Sequence, residues 1–171
     1  MPTPSYIVDL RRGYGHGLLL LPAVVGVVID GDPGAERLLL VRRSDNGRWT
    51  LPAGIMEPGE QPADALTREI AEEACVRVRP ERLLLVTADP EMTYPNGDRC
   101  QFITLAFGCR YLGGEAAVGD EESSDVRWFP LADPPELSVA HLRILECASE
   151  PARPTAFDTL ASHDEGTEPA A

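Results

Sequence analysis

Residues Gly54–Val76 read GIMEPGEQPADALTREIAEEACV, and the rest of the chain is arranged around this stretch. In its second half, Ala63, Leu66, Ile70 and Ala74 recur at three- and four-residue spacings, which predicts a helix with one buried stripe. Pro62 sits where a first helical turn tolerates proline. The first half, with its glycines and prolines, is an entry loop. Glu57, Glu60, Glu69, Glu72 and Glu73 crowd around a single cation, Arg68. At spacings of three and four, Glu69, Glu72 and Glu73 project from neighbouring parts of the helix surface. Carboxylates this close repel one another unless a cation neutralises them. Hard oxygen donors suit Mg²⁺ or Mn²⁺, which keep some water and take their remaining ligands from phosphates. The competing reading is a solvated acidic helix face. The upstream Leu51-Pro-Ala-Gly54 turn favours the metal, because it lets a backbone carbonyl and Glu60 face the same helix surface.

Working outward, Leu18–Ile29 is β-branched and apolar and reads as a buried strand. Pro22 inside it predicts a bend or an edge position. Asp30–Gly34 is turn chemistry, so Arg37–Arg43 should return as the second strand of a hairpin. Further strands are expected at Leu83–Ala88, Gln101–Leu112 and Val126–Phe129. A short strand is expected at Tyr6–Leu10. Ser138 is placed to cap a helix running to about Glu150. These elements predict an α+β fold, a mixed β-sheet between helices in an α/β/α sandwich. One domain is expected over residues 1–150. Residues 151–171, rich in proline, alanine and acid, are expected to be a disordered tail.

The net charge is −13, and all 15 basic residues are arginine. That balance argues against general nucleic-acid binding, which needs a basic footprint. It also repels an anionic substrate, unless a bound divalent cation reverses the sign locally. Four cysteines without CxxC spacing read as free thiols. The longest apolar run is too short to span a membrane, and the first residues lack a secretory pattern, so a cytoplasmic location is expected.

The central stretch resembles the signature of the Nudix hydrolase family, Gx5Ex7REUxEExGU, where U is a bulky aliphatic residue. Gly54, Glu60, Arg68-Glu69-Ile70, Glu72-Glu73 and Val76 all match at their spacings, and Cys75 replaces the last glycine. The resemblance implies cleavage of a nucleoside diphosphate linked to another moiety, with Mg²⁺ or Mn²⁺ as cofactor. The substrate would be a small nucleotide: a nucleoside triphosphate, oxidised or not, or an ADP-ribose or dinucleotide type. It also implies roles. Glu69, Glu72 and Glu73 would hold metal, with a main-chain carbonyl at Ala53 or Gly54. Glu69 or Glu73 would position or deprotonate the attacking water. Arg68 would orient a glutamate, and Glu60 would contribute from further out. A carboxylate from outside the box is expected in Asp120-Glu121-Glu122, with Glu122 favoured over a merely solvated loop. The family's frequent dimers make a homodimer an expectation as well. The alternative function is a catalytically inactive sensing or interaction module, whose mark would be a missing box glutamate; none is missing.

Substrate contacts rest on the residues alone. Tyr94-Pro-Asn-Gly-Asp98 presents an aromatic and a carboxylate on a rigid turn, either to a base or ribose or simply as a surface hairpin. Arg48 and Arg99 are candidates for phosphate contact, and Arg11, Arg12, Tyr14 and His16 for the mouth of the site. Cys75, where a glycine with positive φ would end the helix, should cost on the order of 1 kcal/mol of stability without touching a carboxylate.

Overall fold

The computed structural model describes residues 4–150 and 152–159. Helix α1 spans Ser5–Tyr14, α2 Pro62–Ala74 and α3 Val139–Ala148. The strands are β1 (Leu19–Asp30), β2 (Arg37–Arg43), β3 (Trp49–Thr50), β4 (Ala53–Ile55), β5 (Val76–Ala88), β6 (Met92–Thr93), β7 (Arg99–Gly114), β8 (Ser123–Pro130) and β9 (Ala156–Phe157). They form one mixed sheet in the order β3-β2-β1-β7-β5-β9, with β4 on β1, β6 on β7 and β8 on β2.

The apolar strands β1 and β2 feed both faces of the sheet. Successive strand side chains point to opposite faces. Val24, Val28, Leu39 and Val41 therefore pack with Leu66, Ile70 and Ala74 of α2. Val25, Val27, Leu38 and Leu40 pack on the other face with Ile144 and Cys147 of α3. This is the expected sandwich of a mixed sheet between helices. The expected hairpin is present, with Ile29 opposite Leu38 and Asp30 opposite Arg37. Ser138 caps α3 by accepting from the His141 N–H at 3.2 Å. All four cysteines are free thiols.

Three expectations need correction. Tyr6–Leu10 is not a strand but part of α1. Ile7 is its buried residue and packs with Leu21 and Cys100. A stretch this short fits a period of two and a period of 3.6 alike, and the contact made by Ile7 selects the helix. Pro22 is not at an edge. It lies within β1, between β7 and β4, opposite Ile103, and its carbonyl accepts from the Met56 N–H at 3.2 Å. Pro22 itself is exposed, so its ring stands clear of the core and the strand forgoes only one ladder donor there. Finally, part of the expected tail is ordered. Ala156 and Phe157 pair with Leu85 and Val86 of β5, and the Thr155 hydroxyl donates to the Leu83 carbonyl. Residue 151 and residues 160–171, including His163, lie outside the described residues. Among the described residues no helix is long and apolar enough to cross a membrane.

Candidate active site

The site forms where β4 crosses the buried face of α2. Antiparallel pairing sets Gly54 opposite Val24 and Ala53 opposite Val25. That places the β4 backbone directly over two helix carboxyls. Glu69 is 2% exposed and Glu73 8% exposed. The Ala53 N–H donates to Glu73 Oε2 at 3.1 Å. A Cβ on Gly54 would lie 1.9 Å from the Glu69 carboxyl carbon, so only glycine lets the strand approach this closely.

Arg68 holds the acids in place. It grips Glu60 at two points, Nε to Oε1 at 2.7 Å and Nη2 to Oε2 at 2.9 Å. Its Nη1 donates to Glu69 at 3.0 Å and to Glu72 at 3.2 Å. Such charge-assisted bonds are short and orienting. Glu60 is held below its ordinary pKa chiefly by Arg68. The two buried acids move the other way. Burial pushes Glu69 up to about 7, against the pull of Arg68. Burial pushes Glu73 up to about 8, with Glu69, Asp120 and Glu122 adding repulsion and the Ala53 N–H opposing.

These two carboxyls sit side by side in a pocket that favours a cation, and of the two Arg68 reaches Glu69. Their hard oxygens, a close-packed backbone and nearby Asp120 and Glu122 fit Mg²⁺ or Mn²⁺ by donor chemistry. Among the described residues, however, no three His, Cys, Asp or Glu side chains converge as a ready-made metal cage. In this state Glu72 and part of Glu69 face Arg68.

The helix ends as the sequence suggested. Cys75 has φ 57 and ψ 19 and is the one non-glycine residue with positive φ among those described. Its N–H still donates to the Ala71 carbonyl at 3.2 Å. The 115–122 loop returns across this end, with the Gly119 N–H donating to the Glu73 carbonyl at 3.1 Å. A Cβ on Gly119 would sit 1.9 Å from the Glu72 carbonyl oxygen, so that loop also needs a glycine. This crossing brings Asp120 and Glu122 up to the box. Asp120 Oδ1 accepts from the N–H groups of Glu122 and Ser123 and shapes the turn.

The fold thus gathers Gly54, Glu60, Arg68, Glu69, Glu72, Glu73 and Glu122, and adds Asp120 beside them. The residues expected to contact substrate are less concentrated. Asp98 accepts from His16 Nδ1 at 2.8 Å, if that nitrogen carries the proton, and pairs with Arg11 at 3.4 Å. Arg99 forms a two-point pair with Glu91. Arg48 is exposed on the 44–48 turn, its N–H turned to the Asn46 side chain. Tyr94 is exposed near Arg43, Asp45 and Glu122, and partial desolvation raises its pKa. None of these four lines the main cleft, which has a volume of about 970 Å³. Ser5, Val8, Asp9 and Arg12 of α1 form one wall of that cleft, opposite Arg68, Glu72 and Asp120. Of the residues expected at the mouth, Arg12 lines this cleft, whereas the strand reading of Tyr6–Leu10 missed Ser5, Val8 and Asp9 beside it. Gly15 just past Tyr14 was the helix-stop signal that could have revealed this wall.

Residues 20–146 match the family model described as NUDIX domain, across most of the chain. The chain belongs to the Nudix family. A MutT-like protein of Streptomyces ambofaciens is 37% identical over 107 residues, 63% of this chain and 62% of that protein. An ADP-ribose pyrophosphatase of Methanocaldococcus jannaschii is 33% identical over 142 residues, 81% of this chain and 78% of that one. A human 8-oxo-dGDP phosphatase is 37% identical over 123 residues, and the chain spans only 35% of its length. Among solved structures, the NUDIX domain of Shewanella oneidensis NrtR in complex with ADP ribose superposes with a TM-score of 0.62 at 23% identity, covering 86% of this chain and 97% of that one. An ADP-ribose pyrophosphatase from Streptococcus suis gives 0.61 at 23%, covering 81% and 98%. At those identities the structures establish the shared Nudix fold.

Proposed function

We propose that this Nudix chain is a divalent-metal-dependent hydrolase that cleaves the pyrophosphate bond of a nucleoside diphosphate linked to a second group. The observation that carries this reading is the Glu69–Glu73 pair, buried under the Gly54 backbone with both carboxyls driven toward neutrality. A fold retains such a destabilised pair where the pair does chemistry. The 33% identity to the Methanocaldococcus ADP-ribose pyrophosphatase over most of both chains supports an ADP-ribose type of substrate, and the human 8-oxo-dGDP phosphatase supports an oxidised nucleotide next.

Glu69 and Glu73, with Glu72, Glu122 and the Gly54 carbonyl, would hold Mg²⁺ or Mn²⁺. That cation would neutralise phosphate oxygens and acidify water. Glu73, whose Oε2 accepts from the Ala53 N–H, would take a proton from the attacking water. Glu69 is the second candidate for that step. Arg68 keeps Glu60, Glu69 and Glu72 fixed, so the array needs little rearrangement when phosphate arrives. The cleft between α1 and Glu72 would receive the substrate.

The test is a panel of ADP-ribose, dinucleotides, sugar nucleotides and nucleoside triphosphates, each incubated with Mg²⁺ or Mn²⁺ and followed by chromatography. Cation-dependent release of a nucleoside monophosphate or of pyrophosphate supports the proposal. Binding without turnover across the panel would replace it with a sensing role.

A further inference from the structure

The cleft is an electrostatic problem for the substrate proposed above. Asp9, Glu57, Glu72 and Asp120 line it, in a chain of net charge −13. Two cations face them, Arg68 and Arg12. Arg68 is committed to Glu60, Glu69 and Glu72. Arg12 is paired at 2.6 Å with Asp9, one helical turn away, and its side chain is 75% exposed. An exposed pair of this kind is weak, because water screens both charges. The substrate's diphosphate carries one negative charge on each phosphate and offers the guanidinium two non-bridging oxygens, a two-point partner that can displace Asp9 at little cost.

The helix that carries Arg12 is fastened along its length. Ile7 is 4% exposed and sits on Leu21 and Cys100. The Tyr6 hydroxyl donates to the Met56 carbonyl at 3.0 Å, inside the box loop. Arg11 donates to the Arg99 carbonyl at 2.8 Å and to the Gly17 carbonyl. His16 and Arg11 both meet Asp98 on the 94–98 turn. A wall held at four places presents its side chains with little ordering cost on binding. Helix α1 also lies before the matched domain, which begins at residue 20.

We infer that α1 is the phosphate-binding wall of this site and that Arg12 binds an anionic phosphate oxygen of the substrate, exchanging Asp9 for it. Asp98 and Arg11 are positioning residues that hold the wall, so Asp98 acts on the ligand through α1. The inference rests on the proposed nucleoside-diphosphate reading but is read out by binding. Arg12 contributes affinity, and the carboxylates contribute turnover.

The experiment is isothermal titration of ADP-ribose, with Mg²⁺ present, into the Glu73→Gln protein with and without Arg12→Ala. The dissociation constant should rise fivefold or more in Arg12→Ala, the ratio should shrink in 0.5 M salt (about a 4–5 Å screening length), and Arg12→Lys should restore most of the affinity. Asp9→Ala should bind as tightly or more tightly. Equal affinity with and without Arg12, or a salt-insensitive loss, overturns the inference. Steady-state assays in the wild-type background separate the two proposals. Hydrolysis with a KM indifferent to Arg12 sinks this inference and leaves the hydrolase standing. No hydrolysis, with affinity still dependent on Arg12, does the reverse.

Discussion

Removing divalent cations should make the folded protein sensitive to alkali. In the folded chain Glu69 titrates near 7 and Glu73 near 8, against about 4.5 for an ordinary glutamate. The sign follows from proton linkage. Raised acid pKa values mean that the folded state holds protons the unfolded state has released. Stability from this source is complete below about pH 4.5 and is lost as pH rises through 7 to 8. At about 1.4 kcal/mol per pH unit, the full displacement of both carboxyls would amount to roughly 8 kcal/mol. That is an upper bound, because the charged forms relax toward water and the two groups titrate together. A third of it is still about 3 kcal/mol, a large share of the 5–15 kcal/mol that holds a domain together. For a chain of this size it corresponds to roughly 6–12 °C in melting temperature. The assay is urea and thermal unfolding in EDTA from pH 5 to 9, for wild type and Glu73→Gln. Wild type should lose stability from pH 5 to about 8 and level off above it, and Glu73→Gln should lose distinctly less and be the more stable protein at pH 8.5. Added Mg²⁺ should rescue wild type more at pH 8.5 than at pH 5.5, since it binds the deprotonated pair. Equal stability of metal-free wild type at pH 5.5 and 8.5, or parallel profiles for the two proteins, would refute the electrostatic reasoning.

Other perturbations have defined outcomes. Cys75→Gly should stabilise the protein by up to about 1 kcal/mol, the relief of an αL side chain less the added entropy of unfolded glycine, with hydrolysis unchanged; a lower urea midpoint would count against it. Gly54→Ala drives a methyl group into the Glu69 carboxyl and should cost about 1–3 kcal/mol and most of the turnover; unfolding and activity measured together check both. Arg68→Ala releases three glutamates and should lower kcat by about 100-fold, with Arg68→Lys recovering little because one ammonium cannot reproduce the two-point grip on Glu60. Asp98→Asn weakens the hold on α1 and should raise KM for ADP-ribose with kcat nearly constant, a split that a change at the carboxylates would not give.

The parts of the structure legible in sequence are those where one period or one spacing dominates. The α2 spacing placed the helix and its carboxylates, and Leu66, Ile70 and Ala74 are buried as expected, whereas Ala63 is exposed and Ala65 takes the buried place in the first turn. The apolar runs of β1 and β2 announced buried strands, although only the structure shows Val24 and Val25 parting to opposite faces. Cys75 was identifiable as an αL position because the box demands a turn there, and its φ of 57 agrees. Tyr6–Leu10 is too short to separate the two periods, and its helix is selected by distant partners, Leu21, Cys100 and Met56. The 151–171 stretch looked uniformly polar, yet Ala156 and Phe157 find the open edge of β5. Asp98 and Arg99 looked available for substrate because their partners, His16, Arg11 and Glu91, are set by tertiary contacts or a hairpin turn. Charged surface residues carry no periodic signal of whom they meet.

The central claim is that the buried glutamates of the box drive metal-dependent cleavage of a pyrophosphate bond. Its most direct test is product release from ADP-ribose by wild type and Glu73→Gln, with Mg²⁺ and with EDTA, each protein shown to be folded by circular dichroism. The account predicts turnover by wild type that requires the cation, and a fall of about 100-fold or more in kcat for Glu73→Gln. Full activity in Glu73→Gln, or wild-type turnover undiminished in EDTA, would contradict it.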